Sequence, residues 1–182
     1  MLPSTAGIAW KLMHNCAATE EKIQRRGVHL ASMCGVCKQQ AENIHHLLWE
    51  CPFAKGIWEW VASKFRFRGD MEDMQSAVNK AKGSSTLIHH MWIGAVVGGS
   101  VSIWFHRNKV FFEGDDPDPN FCKKYIHSQV LVARHSSNGF SRDHDDPVLR
   151  AWGVEGKRRK APRMKECFWQ LPREFQMKVA AV

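Results

Sequence analysis

Apolar side chains recur at helical spacing along much of the chain. The clearest stripe consists of Ile57, Trp58, Val61 and Phe65. These positions follow i, i+1, i+4 and i+8, which lie on one face of a helix. The segments that show apolar positions of this kind are residues 8–16, 42–50, 54–67 and 121–135. The pattern therefore predicts a mainly α fold.

Residues 83–105 form a long stretch without Lys, Arg, Asp or Glu. An uncharged run of about 20 residues is long enough to cross a bilayer. His89, His90 and the Gly98-Gly99 pair argue against a membrane span, because polar rings and helix-weakening glycines are poorly suited to one. We therefore expect a buried helix and no membrane contact.

A short helix should precede the first cysteine pair. Thr19 is a suitable N-cap, and Glu20 and Glu21 lie in the first turn, where carboxylates favour the positive helix end. Gly27 suits the left-handed conformation that ends many helices. With the helix over residues 8–16, two helices are predicted before residue 34.

Polar segments separate the predicted helices. Residues 69–85 should be mostly loop with a helical turn near 73–80, and residues 136–147, rich in Ser, Asp, Asn and Gly, should be loop or disordered. The predicted division is a small helical domain that contains the cysteine pair (8–68), a linker (69–85), a helical extension (86–135) and a loop with a basic tail (136–182).

The candidate chemistry lies in a C-x2-C-x8-H-x4-C pattern. It is formed by Cys34, Cys37, His46 and Cys51. Four nitrogen and sulfur ligands at such spacings suit tetrahedral Zn²⁺, and a complete Cys₃His set leaves no open position for catalysis. The pattern therefore predicts a structural zinc site, the alternative being three reduced cysteines and a surface histidine that never meet.

The spacing does not decide which histidine binds. His45 and His46 are adjacent, and both are within plausible reach of Cys51. Pro52 biases Cys51 away from helical geometry, so the helix over residues 42–50 should end just before that cysteine.

The charge of the chain favours a polyanionic partner. Its formal net charge is +8 and its pI is about 9.4, which favours non-specific contact with RNA or DNA. The predicted contacts are Arg25, Arg26, Lys157, Arg158, Arg159 and Lys160. The Arg25-Arg26 pair has a second interpretation, in which it complements a helix C-terminus.

The cysteines and the basic run also bear on location. The sequence does not open with a basic start followed by an apolar core, so a secreted disulfide protein is not expected. Residues 157–160 resemble a short nuclear import signal. We expect a nuclear or cytoplasmic protein.

The residues around the cysteine pattern also carry a family resemblance. They are residues 19–28, Cys34, Cys37, Glu42, 46–54 and Trp58. Together they resemble the zinc-binding region that follows the reverse transcriptase in plant LINE-type (non-LTR) retrotransposon polyproteins. The resemblance covers residues 8–65 and implies His46 as the ligand. Trp104, Arg107, Asn108 and Phe112 are similar to a W-x2-R-N segment after that region, which implies a long amphipathic helix.

The end of the chain resembles the linker towards an RNase H domain. The resemblance rests on Trp169, Pro172 and Lys178. The family's catalytic aspartate would align with Val182, so the chain is expected to stop before that domain and not to be an enzyme. The sequence also lacks a nucleophile elbow and a phosphate-binding glycine loop.

The predicted fold is a small zinc-stabilised helical domain followed by a long helix and a partly disordered basic C-terminal tail. The predicted function is that of a non-catalytic, retrotransposon-derived zinc-binding module that contacts nucleic acid. The alternative is a zinc-stabilised protein-interaction module with an acquired host regulatory role.

Overall fold

The computed structural model describes residues 3–29 and 32–159, and this part of the chain is helical without β-strands. Its α-helices are α1 (Pro3–Met13), α2 (Glu20–Gln24), α3 (Pro52–Phe65), α4 (Met74–Asn79), α5 (Thr86–Asn108), α6 (Pro119–Ser136) and α7 (Asp146–Trp152). Two π-helical turns, His46–Glu50 and Lys109–Glu113, and a 3₁₀ turn, Asp143–Asp145, complete the described elements. The predicted mainly α fold with a long helix after the cysteine region is confirmed.

The long helix α5 is the centre of the molecule. It packs against α1, α3, α4 and α6, most extensively against α6. The segment Thr86–Glu113 is long and apolar enough to cross a membrane, but 67% of its most apolar window is buried inside the protein. This burial is that of a core helix, as the sequence predicted. The lack of membrane contact stays a prediction.

Glycines in α5 allow neighbouring elements to approach its backbone. A Cβ atom added at Gly99 would lie 2.5 Å from the Trp58 ring of α3. A Cβ added at Gly98 would lie 2.9 Å from Cβ of Gln129 on α6. Real Cβ atoms do not make such contacts, so these glycines are required for the packing of α3 and α6 on α5.

Aromatic residues connect α3 to its neighbours. The Trp58 ring stacks on Trp49, with 5.0 Å between ring centroids, and its indole N–H donates to the carbonyl of Leu48 at 2.5 Å. At the other end of α3, Phe65 lies against Trp92 and Trp152, with centroid distances of 5.1 and 5.2 Å. The predicted stripe of α3 is therefore buried along its whole length.

Within the segment predicted as a loop and tail (136–182), the described residues include a helix that the sequence did not predict. Residues Asp146–Trp152 form α7, and Val148, Leu149 and Trp152 are buried. A proline in the first turn suits a helix start, and Gly153 ends the helix with a left-handed backbone (φ 67°). The apolar positions of α7 are few and follow a polar segment, so the sequence pattern did not indicate a helix there. Tertiary packing stabilises it. The other predicted domain boundaries stay predictions.

Candidate metal centre

The structure brings the predicted cysteines and histidine together. One ligand atom from each of Cys34, Cys37, His46 and Cys51 lies within 4.8 Å of the others. Ligands of tetrahedral zinc lie at about 2.0–2.3 Å from the ion, which places them roughly 3.5–3.8 Å apart. A small contraction would close the group around an ion, so the residues present fit zinc.

The first two cysteines lie on a loop that is closed by backbone hydrogen bonds. The N–H of Lys38 donates to the carbonyl of Cys34, and the N–H of Cys34 donates to the carbonyl of Gln40, both at 2.7 Å. Lys38 has a left-handed backbone (φ 55°), which turns the chain back after Cys37. The amides of Val36 and Cys37 also donate to the Cys34 sulfur. Such bonds favour the thiolate form of Cys34 that a metal binds, although other contacts of this sulfur oppose them.

A π-helical turn carries His46. The N–H of Cys51 donates to the carbonyl of His46 at 2.7 Å, five residues back, and the N–H of His46 donates to Oδ1 of Asn43 at 2.7 Å. The short helix predicted over residues 42–50 is therefore present from residue 44, and from His46 to Glu50 it winds as a π-helix. π-helical turns occur frequently at functional sites.

Cys51 lies at the start of α3. Its backbone leaves helical geometry (ψ 129°) before Pro52, as predicted, and Pro52 opens the new helix. The amides of Phe53 and Ala54 donate to the Cys51 sulfur. The positive N-terminus of α3 therefore favours a thiolate at this position.

The two buried cysteines share a hydrogen bond. Cys34 and Cys51 are almost fully buried. This bond, followed by burial, raises the pKa of Cys34, and the same bond lowers the pKa of Cys51. The shared proton is therefore held more firmly at Cys34 than at Cys51, and a metal would have to displace it.

The structure selects His46 and not His45 for the cluster. The His46 Nε2 atom lies 3.3 Å from Sγ of Cys37, whereas the His45 side chain is exposed and outside the group. Burial lowers the pKa of His46, which favours the neutral ring that binds metals. Nδ1 of His46 has no hydrogen-bond partner, and a carboxylate oxygen of Glu50 lies 3.8 Å away.

A buried ion pair fixes the metal-binding segment to α5. The Arg107 guanidinium donates to both carboxylate oxygens of Glu42, at 2.7 and 2.5 Å, and both side chains are buried. Glu42 also accepts the backbone N–H of Glu20 at 3.2 Å. Glu42 belongs to the motif around the cysteines, and Arg107 belongs to the W-x2-R-N segment; both motifs were quoted for the family resemblance. Sequence reasoning missed their pairing, because nothing in either motif specifies its partner.

The predicted nucleic-acid contacts near α2 are exposed. Arg25, the residue directly after α2, pairs with Glu21 of that helix at 2.5 Å, and its side chain remains 67% exposed. Arg26 is also exposed, in the turn after α2. The guanidinium groups are therefore accessible from solvent, although Arg25 already has an acidic neighbour.

The predicted basic run near the C-terminus has local partners. Lys157 donates to a backbone carbonyl in the loop after α6. Arg158 pairs with Asp143 and with a second carboxylate nearby, while the Arg159 guanidinium lies 5.8 Å over a phenylalanine ring. Lys160 lies outside the described residues, as do the linker-like Trp169, Pro172 and Lys178.

A closed Cys₃His group on a helical scaffold defines a class: zinc-binding segments in which the metal holds the chain together. Residues 1–58 match the family described as zinc-binding in reverse transcriptase. The predicted resemblance is confirmed over this segment, and so is zinc as the cofactor that the site could hold. The matched region is a zinc-binding one and includes no catalytic domain.

One relative agrees with this assignment. An Arabidopsis thaliana protein named "Putative ribonuclease H protein" is 35% identical over 60 residues, which is 33% of this chain. The match spans only 10% of the relative's length. No solved structure matches the chain. The comparisons therefore support a segment of a retrotransposon-type polyprotein.

Proposed function

We propose that this chain is a non-catalytic, zinc-stabilised helical module derived from a retrotransposon reverse transcriptase polyprotein, and that it contacts RNA or DNA. The observation that supports the proposal most is the Cys₃His group, three of whose members are buried, within the segment that matches a zinc-binding family. The family and the relative are both named after enzymes that act on nucleic acid.

The proposed role of the metal centre is to stabilise the fold. Cys34 and Cys37 lie on one loop, His46 on the π-helical turn and Cys51 at the start of α3. Bound zinc would supply strong bonds that join these three pieces of chain. Because all four positions would be filled by protein ligands, no place remains for a reactive water. Folding free energy rather than catalysis is the expected contribution.

The support for nucleic-acid contact is electrostatic. The net charge of +8 favours association with a polyanion. Arg25 and Arg26 lie side by side and exposed at the end of α2, in the matched segment. Such contacts would hold phosphates without reading a base sequence.

A salt titration tests this proposal. The zinc-loaded chain is mixed with fluorescently labelled single-stranded RNA or DNA, and affinity is measured by anisotropy at increasing salt. We expect log affinity to fall linearly with log salt. The Arg25→Gln/Arg26→Gln variant should reduce the slope by roughly 0.7–0.9 for each phosphate that it no longer binds.

A matched control uses two other exposed arginines. Arg66→Gln/Arg68→Gln removes the same charge from the end of α3, and we expect it to leave most of the slope unchanged. An equal reduction in both double variants would show that only overall charge matters. Binding that is undetectable, or that does not depend on salt, would contradict nucleic-acid contact itself.

A further inference from the structure

Two adjacent phenylalanines are exposed directly after the long helix. Phe111 is 47% exposed and Phe112 73% exposed, on the π-helical turn Lys109–Glu113. Their rings meet edge to face at 4.9 Å between centroids. Single exposed apolar residues need no explanation, but two large aromatic rings side by side form a surface that suits a partner.

Contacts with neighbouring residues fix the position of the Phe111 ring. The Arg107 guanidinium carbon lies 4.4 Å from the centroid of the Phe111 ring, and Arg107 is itself fixed by Glu42. On the other side, Phe111 lies near Gly35 of the cysteine loop, 4.0 Å from the position of an added Cβ. A ring supported by a buried ion pair and by the metal-binding loop loses little freedom when a partner binds.

The charges next to the rings are acidic. Glu113, Asp115 and Asp116 follow Phe112 and are exposed. The amino group of Lys109 lies 3.9 Å from Glu113 and 3.7 Å from Asp115, and so offsets only part of this charge. A phosphate backbone would be repelled here, whereas lysine and arginine side chains would be attracted.

We propose that Phe111 and Phe112, with the carboxylates of Glu113, Asp115 and Asp116, dock a basic protein segment that carries a bulky apolar side chain. The apolar side chain of the partner packs on the two rings, and its cations pair with the carboxylates. This surface shares no residue with the proposed nucleic-acid contacts, so the two proposals stand or fall separately.

The test uses the zinc-loaded chain and a fluorescently labelled amphipathic peptide of lysine, leucine and tryptophan. Because the chain carries a net charge of +8, non-specific attraction of a cationic peptide is disfavoured. We expect saturable binding that Phe112→Ser weakens on the order of tenfold, as for the truncation of an interface anchor. Asp115→Asn/Asp116→Asn should weaken binding several-fold and more at low salt.

Matched controls make the result decisive. Phe140 is 44% exposed elsewhere on the surface, so Phe140→Ser should leave the affinity unchanged. A peptide with glutamate in place of lysine should not bind. Circular dichroism and zinc content establish that each variant is folded, and the milder Phe112→Leu should retain most of the affinity.

Four outcomes would overturn the proposal. The first is no peptide binding to the parent chain. The second is equally weakened binding in Phe112→Ser and Phe140→Ser. The third is equal affinity for the lysine and glutamate peptides. The fourth is that Phe112→Ser weakens binding of single-stranded DNA while peptide binding is unchanged, which would make the rings a base-stacking surface.

Discussion

At the scale of single residues, the carboxylate of Glu42 and the guanidinium of Arg107 connect the metal-binding segment to the end of α5. Both groups are removed from water, so each depends on the other to offset the cost of burying a charge. The pair also supports Phe111. It therefore links the metal-binding segment to the end of α5 and to the aromatic rings that follow that helix.

Removal of one partner should be costly. We expect Arg107→Gln to lower the free energy of unfolding by about 3–5 kcal/mol, because Glu42 is left buried and unpaired. Arg68→Gln is the control: Arg68 is 90% exposed and lies 3.8 Å from Asp70, so its removal should change stability by less than about 0.5 kcal/mol. Urea unfolding of the zinc-loaded proteins measures both, and similar values would contradict the role given to the buried pair.

We expect His106 to make the stability of the fold depend on pH. Burial lowers its pKa, its Nδ1 has no partner, and its Nε2 accepts the backbone N–H of Asp118 at 3.0 Å. The folded state therefore favours the neutral ring, while the unfolded ring takes up a proton near pH 6.5. We expect stability to be fully present above about pH 6.5 and to be lost as the pH falls through the lowered pKa of the folded state.

Unfolding curves between neutral and mildly acidic pH check this expectation. His106→Asn should flatten the dependence, because an amide oxygen can still accept the bond but does not titrate. His135→Asn, at an exposed position near the end of α6, is the control and should retain the parent curve. If both variants retain it, His106 is not the group responsible.

At the scale of elements, the close packing of α3 and α6 on α5 depends on glycines of α5. From the sequence alone, these glycines are expected only to weaken a helix. We expect Gly99→Ala to destabilise the protein by about 1–3 kcal/mol, since the new methyl group overlaps the Trp58 ring. Gly56→Ala, at an exposed position of α3, meets no atom within 4 Å and should stabilise by up to about 1 kcal/mol. Thermal unfolding of the two variants compares them, and a neutral Gly99→Ala would contradict the close approach of α3 to α5.

The sequence predicted elements whose pattern is local. The stripe of α3 and the uncharged run of α5 are periodic or compositional signals, and both became helices close to the expected bounds. The π-helical turn at His46 has no comparable signal, because one additional residue per turn does not alter the order of apolar positions. Helix α7 was missed because its seven residues follow a polar segment and become helical by packing against α3.

The candidate metal centre was predictable for a different reason. Ligand types and spacing are written directly in the sequence, so Cys34, Cys37 and Cys51 could be named from it. The choice between His45 and His46 depends on which ring faces the interior, and the π-helical turn decides this in the structure. The support from Arg107 depends on a hydrogen bond across 65 positions, which no local pattern contains.

At the scale of the whole molecule, the metal-binding segment and the long helix share one apolar core. Buried residues from both sides of the predicted linker contribute to it, including Cys34, Trp58 and Val96. Helix α1 and the first π-helical turn both contact α5. Disruption of the metal centre should therefore weaken the packing of the described part of the chain and not only of residues 34–51.

The central claim is that three sulfurs and one imidazole hold a single zinc ion. The most direct measurement is the zinc content of the purified chain beside matched pairs of variants. Cys37→Ser is compared with Cys16→Ser, since Cys16 is exposed and outside the cluster. His46→Asn is compared with His45→Asn in the same way.

We expect stoichiometric zinc in the parent chain, in Cys16→Ser and in His45→Asn, and strongly reduced zinc with a lower melting temperature in Cys37→Ser and His46→Asn. A parent chain that is folded without zinc, or full zinc retention in both Cys37→Ser and His46→Asn, would contradict the account.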